Sequence, residues 1–435
     1  MQTKFIKPVL SGLNAALFLM LGGCSGSSTP PSQTQTPAPM ALNDFRSRPV
    51  TEWVADLKSN DLTVRKAAYA AIRNYGPSSV EPLTTALSDA ASRKYIVRAF
   101  MELGPIAKSA GPKLQELLKD NDKDVRLNSM QAIARMGKDM SSAVPAFVEM
   151  TKDQDPDFRR NAALGLPLLV DKPDERAQAA EALSELVKDS DFNIKRAAIT
   201  GMAQCAKDNP TAVKTLTALL GDQDPKVRGL AAQTLSSATK EPAIRAEAVK
   251  AVSELLKDKD EQVRQNALDG LAGFRTEASA YCEAVTAMDS DKALMVRQIV
   301  PYTLSTIVNT PEQKDKAVDF FLGLQNDKEP SVRFNAITGL GLLKGAAHKA
   351  LPIMIGNLAS KDRETSTLSF RALRQLIQGV DERAVPEIPA LLELLKTGAQ
   401  DQKTMCVLAL GQIGPAAKDA LPVIQEMRSK AAVEG

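Results

Sequence analysis

The chain has 435 residues, of which 44% are hydrophobic and only 4% aromatic, and its formal net charge at pH 7 is +3. A nucleic-acid groove needs a strongly basic face with stacking aromatic side chains, so this balance argues against that class of partner. A single histidine also excludes a metal site built on two histidines, as in the zinc proteases.

The first residues have the pattern of an export signal. Lys4 and Lys7 precede an apolar run from Val9 to Leu21, which is too short for a spanning helix, and the run ends in Leu-Gly-Gly-Cys at Cys24. This ending resembles the lipobox of bacterial lipoproteins, and the resemblance implies that Cys24 becomes the lipid-modified first residue of the mature chain. An ordinary cleaved signal with a chance cysteine is the alternative. Ser25 follows rather than Asp, which by the same resemblance implies a place in the cell envelope, at the outer membrane where there is one.

A polar segment follows the cysteine. From Ser25 to Ala41 the chain is rich in Ser, Thr, Pro, Gln and Gly, a composition that cannot bury a core and predicts a disordered tether. We therefore divide the chain into a signal peptide at 1–23, a lipidated cysteine with its tether at 24–48, and a folded region at 49–435.

A repeated phrase organises the folded region. From Asp222 to Leu235 it reads Asp-Gln-Asp-Pro-Lys-Val-Arg-Gly-Leu-Ala-Ala-Gln-Thr-Leu, and versions of it return roughly every 34 residues, the signature of stacked repeats. In each copy an apolar residue, here called the start residue, precedes a basic one. The start residues of the clear copies are Val64, Val97, Val125, Phe158, Ile194, Val227, Val263, Val296 and Val332. Between 362 and 379 the phrase is degenerate and its register stays open.

Two columns of aspartates precede the start residues. Asp stands three residues before them at Asp61, Asp122, Asp155, Asp191, Asp224 and Asp260. A second column lies five residues before them, at Asp120, Asp153, Asp189, Asp222, Asp258, Asp291 and Asp327. An Asp ahead of a helix accepts hydrogen bonds from unpaired backbone N–H groups, so the phrase predicts a helix start.

Each repeat is predicted to be a pair of helices. Apolar residues follow the start residue at helical spacing, as at Val227, Ala231 and Leu235, and the segment between two phrases has the same period. Small residues such as Gly165 and Gly270 would permit close helix approach. Prolines predict kinks in the first helices at Pro82, Pro112, Pro145, Pro352, Pro389 and Pro422.

These features resemble the HEAT repeat family, and in particular the short bacterial HEAT-like repeats also found in phycobilin lyases. The Asp-Pro-x-Val-Arg helix start, the following Asn-Ala at Asn161, Asn266 and Asn335, and the closing segment from Leu410 to Pro422 carry the resemblance. It implies an all-α, right-handed α-α superhelix of the HEAT/armadillo kind, with about eleven hairpins and a terminal helix. It also implies an Asp–Arg ladder between successive repeats, formed here by Asp122, Arg126, Asp155, Arg159, Asp224, Arg228, Asp260 and Arg264.

Catalytic motifs are absent from the sequence. It has no phosphate-binding Gly-Lys-Ser/Thr loop, no Gly-x-Ser-x-Gly elbow and no Cys-x-x-Cys pair. His348 is predicted to be a solvated loop residue, and Cys205 and Cys406 are predicted to be buried thiols. We therefore expect no enzyme, no cofactor and no metal.

Two functions stay open. The first is a lipid-anchored protein-interaction scaffold without catalytic activity, which binds protein partners on the concave face and the membrane through its lipid. The second, suggested only by the shared repeat, is a bilin-lyase-like enzyme or a chromophore-handling subunit.

Positions two and six residues after the start residue lie opposite the apolar stripe of the second helix, and the HEAT resemblance places that side in the concavity. Among them we predict that a basic pair and a later polar and aromatic group bind a partner, since Arg and aromatic residues dominate binding hot spots. The predicted binding residues are Arg160, Arg196, Gln233, Gln265, Asp269, Gln298, Tyr302 and Phe334. The alternative is that Tyr302 and Phe334 only cover gaps between repeats.

Overall fold

The structure, a computed structural model, describes residues 48–206, 209–238 and 240–426. The predicted signal peptide, Cys24 and most of the tether lie outside these residues. Every regular element within them is helical, and eleven hairpins follow one another before a terminal helix that begins at residue 421. The predicted fold class, an all-α HEAT/armadillo-type superhelix, is confirmed.

Each hairpin has a first and a second helix. The first helices, numbered by hairpin from 1 to 11, are Val50–Asp56, Val80–Ala86, Gly111–Glu116, Val144–Met150, Pro173–Leu186, Pro210–Ala218, Pro242–Glu254, Cys282–Ala287, Pro311–Gly323, Leu351–Gly356 and Ile388–Thr397. The second helices are Leu62–Tyr75, Arg93–Leu103, Lys123–Met136, Pro156–Leu169, Phe192–Cys205, Pro225–Ala238, Glu261–Phe274, Leu294–Arg297 with Val300–Ile307, Pro330–Leu342, Arg363–Ile377 and Gln400–Ile413. Second helices of successive hairpins pack side by side.

The Asp three residues before the start residue caps the second helix. Asp61 accepts a hydrogen bond from the N–H of Thr63 at 2.7 Å, and Asp122, Asp155, Asp191 and Asp260 cap their helices in the same way. This confirms the predicted helix start, because the cap satisfies a donor that has no partner inside the helix. In hairpin 10 the cap is Asp362, which makes Thr365 the start residue of the degenerate repeat.

The core lies between the two layers of helices. In hairpin 6 the predicted stripe Val227, Ala231 and Leu235 is fully buried, as are the equivalent residues of hairpin 7. Small residues admit side chains from the first helices: a Cβ atom on Gly165 would lie 2.4 Å from the Phe147 ring. The predicted close approach at glycine is therefore confirmed.

The predicted proline kinks are wrong. In five of the six cases the proline occupies one of the first two positions of a helix, and Pro82 is the third residue of its helix. A proline in the first turn costs no hydrogen bond, because that N–H has no partner inside the helix. The chain instead bends before these helices, in 3-10 segments at Gly76–Ser79, Gly104–Ala110, Gly137–Ala143, Lys344–Ala350, Glu382–Glu387 and Gly414–Ala420.

Candidate partner-binding face

Arginines that follow the start residues tie neighbouring hairpins together. Arg228 donates from Nε and Nη2 to both carboxylate oxygens of Asp258 in the next hairpin, each at 2.8 Å. Its Nη1 donates to the carbonyl of Asp222 at 2.8 Å, within its own loop. The side chains of Arg228 and Asp258 are only 8% and 10% exposed, so the pair is removed from water. Equivalent pairs join Arg93 to Asp120, Arg159 to Asp189 and Arg264 to Asp291.

The acidic half of the predicted ladder is corrected. Asp155, Asp224 and Asp260 accept backbone N–H bonds at the start of their own helices, and so does Asp122. The acids that pair with the ladder arginines of the preceding hairpin belong to the column five residues before the start residue. A capping Asp can still reach the preceding hairpin, as Asp155 does with Lys123 at 2.5 Å, but its partner there is a lysine and not the ladder arginine.

Arg126 is the exception among the four predicted arginines. It donates to the carbonyl oxygens of Asp120 and Asn121 at 2.6 and 3.1 Å, and its guanidinium lies 5.2 Å from the centre of the Phe158 ring. Its contact with the next hairpin is therefore with an aromatic ring. Arg159, Arg228 and Arg264 form ion pairs with the next hairpin, as predicted.

The register of hairpin 2 differs from the prediction by five residues. Asp89 accepts from the N–H of Ala91 at 3.1 Å, and Arg93 donates from Nε to the carbonyl of Leu87 at 3.0 Å. These are the bonds that the capping Asp and the ladder Arg make in the other hairpins, so the start residue is Ser92, not Val97. The sequence did not reveal this register, because Ser92 is a serine at a position that is apolar in the other clear copies.

We call the side of the second helices that carries positions two and six after the start residue the second-helix face. Of the predicted binding residues Arg160 is exposed, and the other seven are half-buried on hairpins 5 to 9. The corrected register adds two basic residues that sequence reasoning missed, Lys94 and Arg98 in hairpin 2. The spacing of Gly104 contained the signal: this helix-ending glycine follows Ser92 as Gly76 follows Val64.

Several predicted binding residues also link hairpins. Gln233 donates to Asn266 at 3.1 Å and to Asp269 at 3.2 Å, and burial raises the pKa of Asp269. The carbonyl of Gln298 accepts from the side chain of Asn335 at 2.6 Å. The middle of the second-helix face is thus a hydrogen-bonded polar surface whose side chains are held in place.

Hairpin 8 interrupts the face. Its second helix breaks between Leu294–Arg297 and Val300–Ile307, because Pro301 lacks the N–H that would bond to the carbonyl four residues earlier. Tyr302 is the third residue of the second of these two segments and is half-buried. Phe334 lies in hairpin 9, and the guanidinium of Arg333 is 6.0 Å from the centre of its ring.

The prediction that His348 is a solvated loop residue is wrong, because its side chain lies in a cleft. Its side chain is 12% exposed, and its Nδ1 lies 3.6 Å from Oε1 of Glu387. The cleft of about 550 Å³ is lined by Lys314, Asp315 and Arg383 among others. The 3-10 segment Lys344–Ala350, which contains His348, contacts the 3-10 segment Glu382–Glu387 of hairpin 11.

The described residues contain no cluster of three His, Cys, Asp or Glu side chains arranged to hold a metal ion. No helix in this part of the chain combines the length and apolarity that a membrane span requires. Cys205 and Cys406 are buried, as predicted, and burial raises the pKa of the Cys205 thiol to about 12. A thiol with so high a pKa is a poor nucleophile at neutral pH.

The repeats match known proteins in sequence and in fold. The HEAT-repeat family profile matches residues 80–167, 111–189 and 179–246. A structure of Kap95p with RanGDP aligns with a TM-score of 0.62 and 13% identity over 88% of this chain and 58% of that chain. Importin beta aligns with a TM-score of 0.57 and 14% identity over 87% of this chain and 58% of that chain. Kap121p bound to the extreme C-terminus of the protein phosphatase Cdc14p aligns with a TM-score of 0.53 and 14% identity, over 90% and 48% of the two chains.

The chain therefore spans about half the length of these solved structures. Identities this low establish the fold alone. A sequence comparison with curated proteins gives no match. From the profile match and the shared fold, the chain contains HEAT repeats within residues 80–246 and folds as a HEAT/armadillo-type solenoid.

Proposed function

We propose that the protein is a lipid-anchored interaction scaffold of the bacterial cell envelope, whose second-helix face binds a protein partner. One observation carries the proposal. The ladder and the core use the other sides of the second helices, while Arg160, Arg196, Tyr302 and Phe334 stay exposed or half-buried on the remaining side. Solenoids present such a continuous surface because each repeat contacts only its neighbours.

The fold comparison supports a protein as the ligand. The Kap121p structure with this fold holds the C-terminus of another protein. The scaffold has no catalytic activity and no cofactor of its own in this proposal. Nothing in the described residues favours the bilin-lyase alternative.

The proposed anchor is a lipid on Cys24, with the signal peptide at 1–23, the tether at 24–48 and the solenoid at 49–435. The support is the basic start, the short apolar run and the Leu-Gly-Gly-Cys ending of the sequence. The outer membrane is the proposed site where the cell has two membranes. The lipid would fix the scaffold to the membrane and leave the solenoid free to bind in the aqueous phase.

The anchor predicts the outcome of Cys24→Ser. The variant should lack the lipid and remain an uncleaved precursor that keeps residues 1–23, because the thiol that carries the lipid is gone. Mass spectrometry of the mature wild-type N-terminus checks the premise. A free N-terminus at any residue other than Cys24 would show that the anchor is wrong.

The binding face predicts the outcome of a Tyr302→Ala, Phe334→Ala double variant. Both rings are half-buried, so removing them should leave the helical circular dichroism unchanged while partners crosslinked in the native envelope are lost. The matched control is Tyr281→Ala with Phe320→Ala, two half-buried aromatic residues outside the second-helix face. Retention of every partner by the first variant, or equal loss from both, would contradict the assignment.

A further inference from the structure

We infer that the second-helix face of hairpins 1 to 5 binds an extended acidic segment of the partner, an inference that rests on the proposed scaffold function. The observation is a column of charge at the position two residues after each start residue. With the corrected register this column reads Lys66, Lys94, Leu127, Arg160 and Arg196 in hairpins 1 to 5. In hairpins 6 to 9 it changes to Gly229, Gln265, Gln298 and Phe334, none of which is charged.

The basic column belongs to a wider excess of positive charge. The second helix of hairpin 1 carries Arg65, Lys66 and Arg73 and no acidic residue. Arg98, six residues after the start residue of hairpin 2, is also exposed on this face. Lys66, Arg73 and Arg98 are all exposed, so a ligand can reach their charges without displacing the core.

Aromatic rings hold part of this surface in place. Lys94 Nζ lies 5.1 Å from the centre of the Tyr95 ring, and the Arg98 guanidinium lies 5.8 Å from that of Tyr69. The Tyr69 hydroxyl donates to the carbonyl of Tyr95 at 3.2 Å, which joins hairpins 1 and 2. A cation held over a ring loses less conformational freedom when it binds a carboxylate.

The acid paired with Arg160 is easily replaced. Arg160 Nη2 lies 3.3 Å from Asp157, and the two side chains are 49% and 43% exposed. Such an exposed pair contributes little free energy, and Asp157 is also paired with Lys123 at 3.2 Å. An incoming carboxylate can therefore take over Arg160 while Asp157 keeps Lys123.

The spacing of the column favours a polypeptide. Packed helices lie about 8–10 Å apart, and three residues of extended chain span about 10 Å. An extended segment with an acid at every third residue therefore meets one basic side chain per hairpin, with an apolar side chain at Leu127. Duplex DNA carries one charge per about 1.7 Å, far denser than this column. Bases would need open ring faces, but Tyr69 and Tyr95 each have a cation over the ring.

The test is a labelled peptide, Glu-Ser-Ser-Glu-Ser-Ser-Leu-Ser-Ser-Glu-Ser-Ser-Glu, titrated with the full chain in a fluorescence anisotropy assay. Its pattern is the same in both directions, so the result does not depend on the orientation of the segment. A peptide of the same composition with its four Glu adjacent is the control ligand. The spaced peptide should bind more tightly, and its affinity should fall as salt is added.

Charge reversal locates the site. Lys66→Glu with Arg160→Glu changes two exposed side chains of the column and should raise Kd about tenfold. Lys214→Glu with Lys250→Glu, on exposed positions of first helices, makes the same change in net charge and should leave Kd unchanged. Lys66→Glu alone, with an intermediate Kd, provides a second variant, and circular dichroism verifies its fold.

Three results would overturn the inference. They are equal binding of the two peptides, an unchanged Kd for Lys66→Glu with Arg160→Glu, and tighter binding of a single-stranded oligonucleotide than of the spaced peptide. Envelope crosslinking with the Tyr302 and Phe334 variant tests the scaffold separately. Partners captured there without peptide binding would reject the acidic segment and leave the scaffold standing.

Discussion

Arg228→Ala should destabilise the solenoid by about 3–5 kcal/mol, because it leaves the buried Asp258 carboxylate without its cation. Arg228 also supplies the hydrogen bonds at 2.8 and 3.1 Å that hold the carbonyls of its own loop. The free energy of unfolding in urea measures the loss. Hydrogen exchange should place it in hairpins 6 and 7, since the stability of a repeat protein is nearly a sum of local terms.

Lys226→Ala is the matched control, two residues earlier on the same helix. Lys226 is exposed and lies 5.5 Å from the Phe192 ring, a surface contact worth roughly 0.5–1 kcal/mol. The double variant Arg228→Ala, Asp258→Ala should cost less than the sum of the two single changes, because no buried charge stays unpaired. Equal losses for Arg228→Ala and Lys226→Ala would contradict a ladder between hairpins.

The pH dependence of the Arg228→Ala loss follows from the Asp258 pKa. Burial by itself raises this pKa, but the hydrogen bonds from Arg228 and from the N–H of Asp260 outweigh it and hold the pKa below its ordinary value. A carboxyl with a lowered folded pKa adds stability above its unfolded pKa of about 3.9 and loses it as pH falls through the folded pKa. The unfolded state is common to both chains, so the difference between wild type and Arg228→Ala should shrink as acid protonates this carboxyl, and the shrinkage should end below the lowered folded pKa of the wild type.

Gly270→Ala should destabilise the protein by about 2 kcal/mol, although Ala is the better helix former. A Cβ atom on Gly270 would lie 2.5 Å from the carbonyl oxygen of Ala232 in the neighbouring second helix. The opposing atom is backbone, so the two helices must separate. Overpacking of this kind costs roughly 1–3 kcal/mol.

Gly411→Ala should have the opposite effect on stability. Gly411 also lies inside a second helix, Gln400–Ile413, but a Cβ there would meet nothing within 4 Å. The helix propensity of alanine should then stabilise the protein by about 1 kcal/mol. Thermal unfolding of both variants compares them directly, and stabilisation of both would show that helix packing does not limit Gly270.

The sequence determined the fold because each repeat contains the local signals for one helical hairpin. The capping Asp, the apolar start residue and the stripe that follows are local signals, and they recur often enough to indicate hairpins before any tertiary contact is known. The number of hairpins, the caps at residues such as Asp61 and the buried stripe of Val227, Ala231 and Leu235 follow from that pattern.

The register of a single repeat is less secure, because it depends on one column. In hairpin 2 a serine occupies the apolar start position, and Val97, a core residue elsewhere on the same helix, imitates it. The consequence reaches the candidate site, since the shift brings Lys94 and Arg98 onto the second-helix face. The second helix of hairpin 8 is a similar case: the repeat pattern predicts one continuous helix, but Pro301 divides it in two.

Only the tertiary structure decided which acids join the hairpins. Two Asp columns lie two residues apart in sequence, and the sequence does not show which of them pairs with the arginine of the preceding hairpin. Asp224 is occupied by the N–H of Lys226, whereas Asp258 accepts the N–H of Asp260 and still presents its carboxylate to Arg228. Which Asp pairs with the arginine depends on how each loop orients its carboxylates relative to the preceding hairpin. This relative orientation is defined only when the two hairpins are packed together.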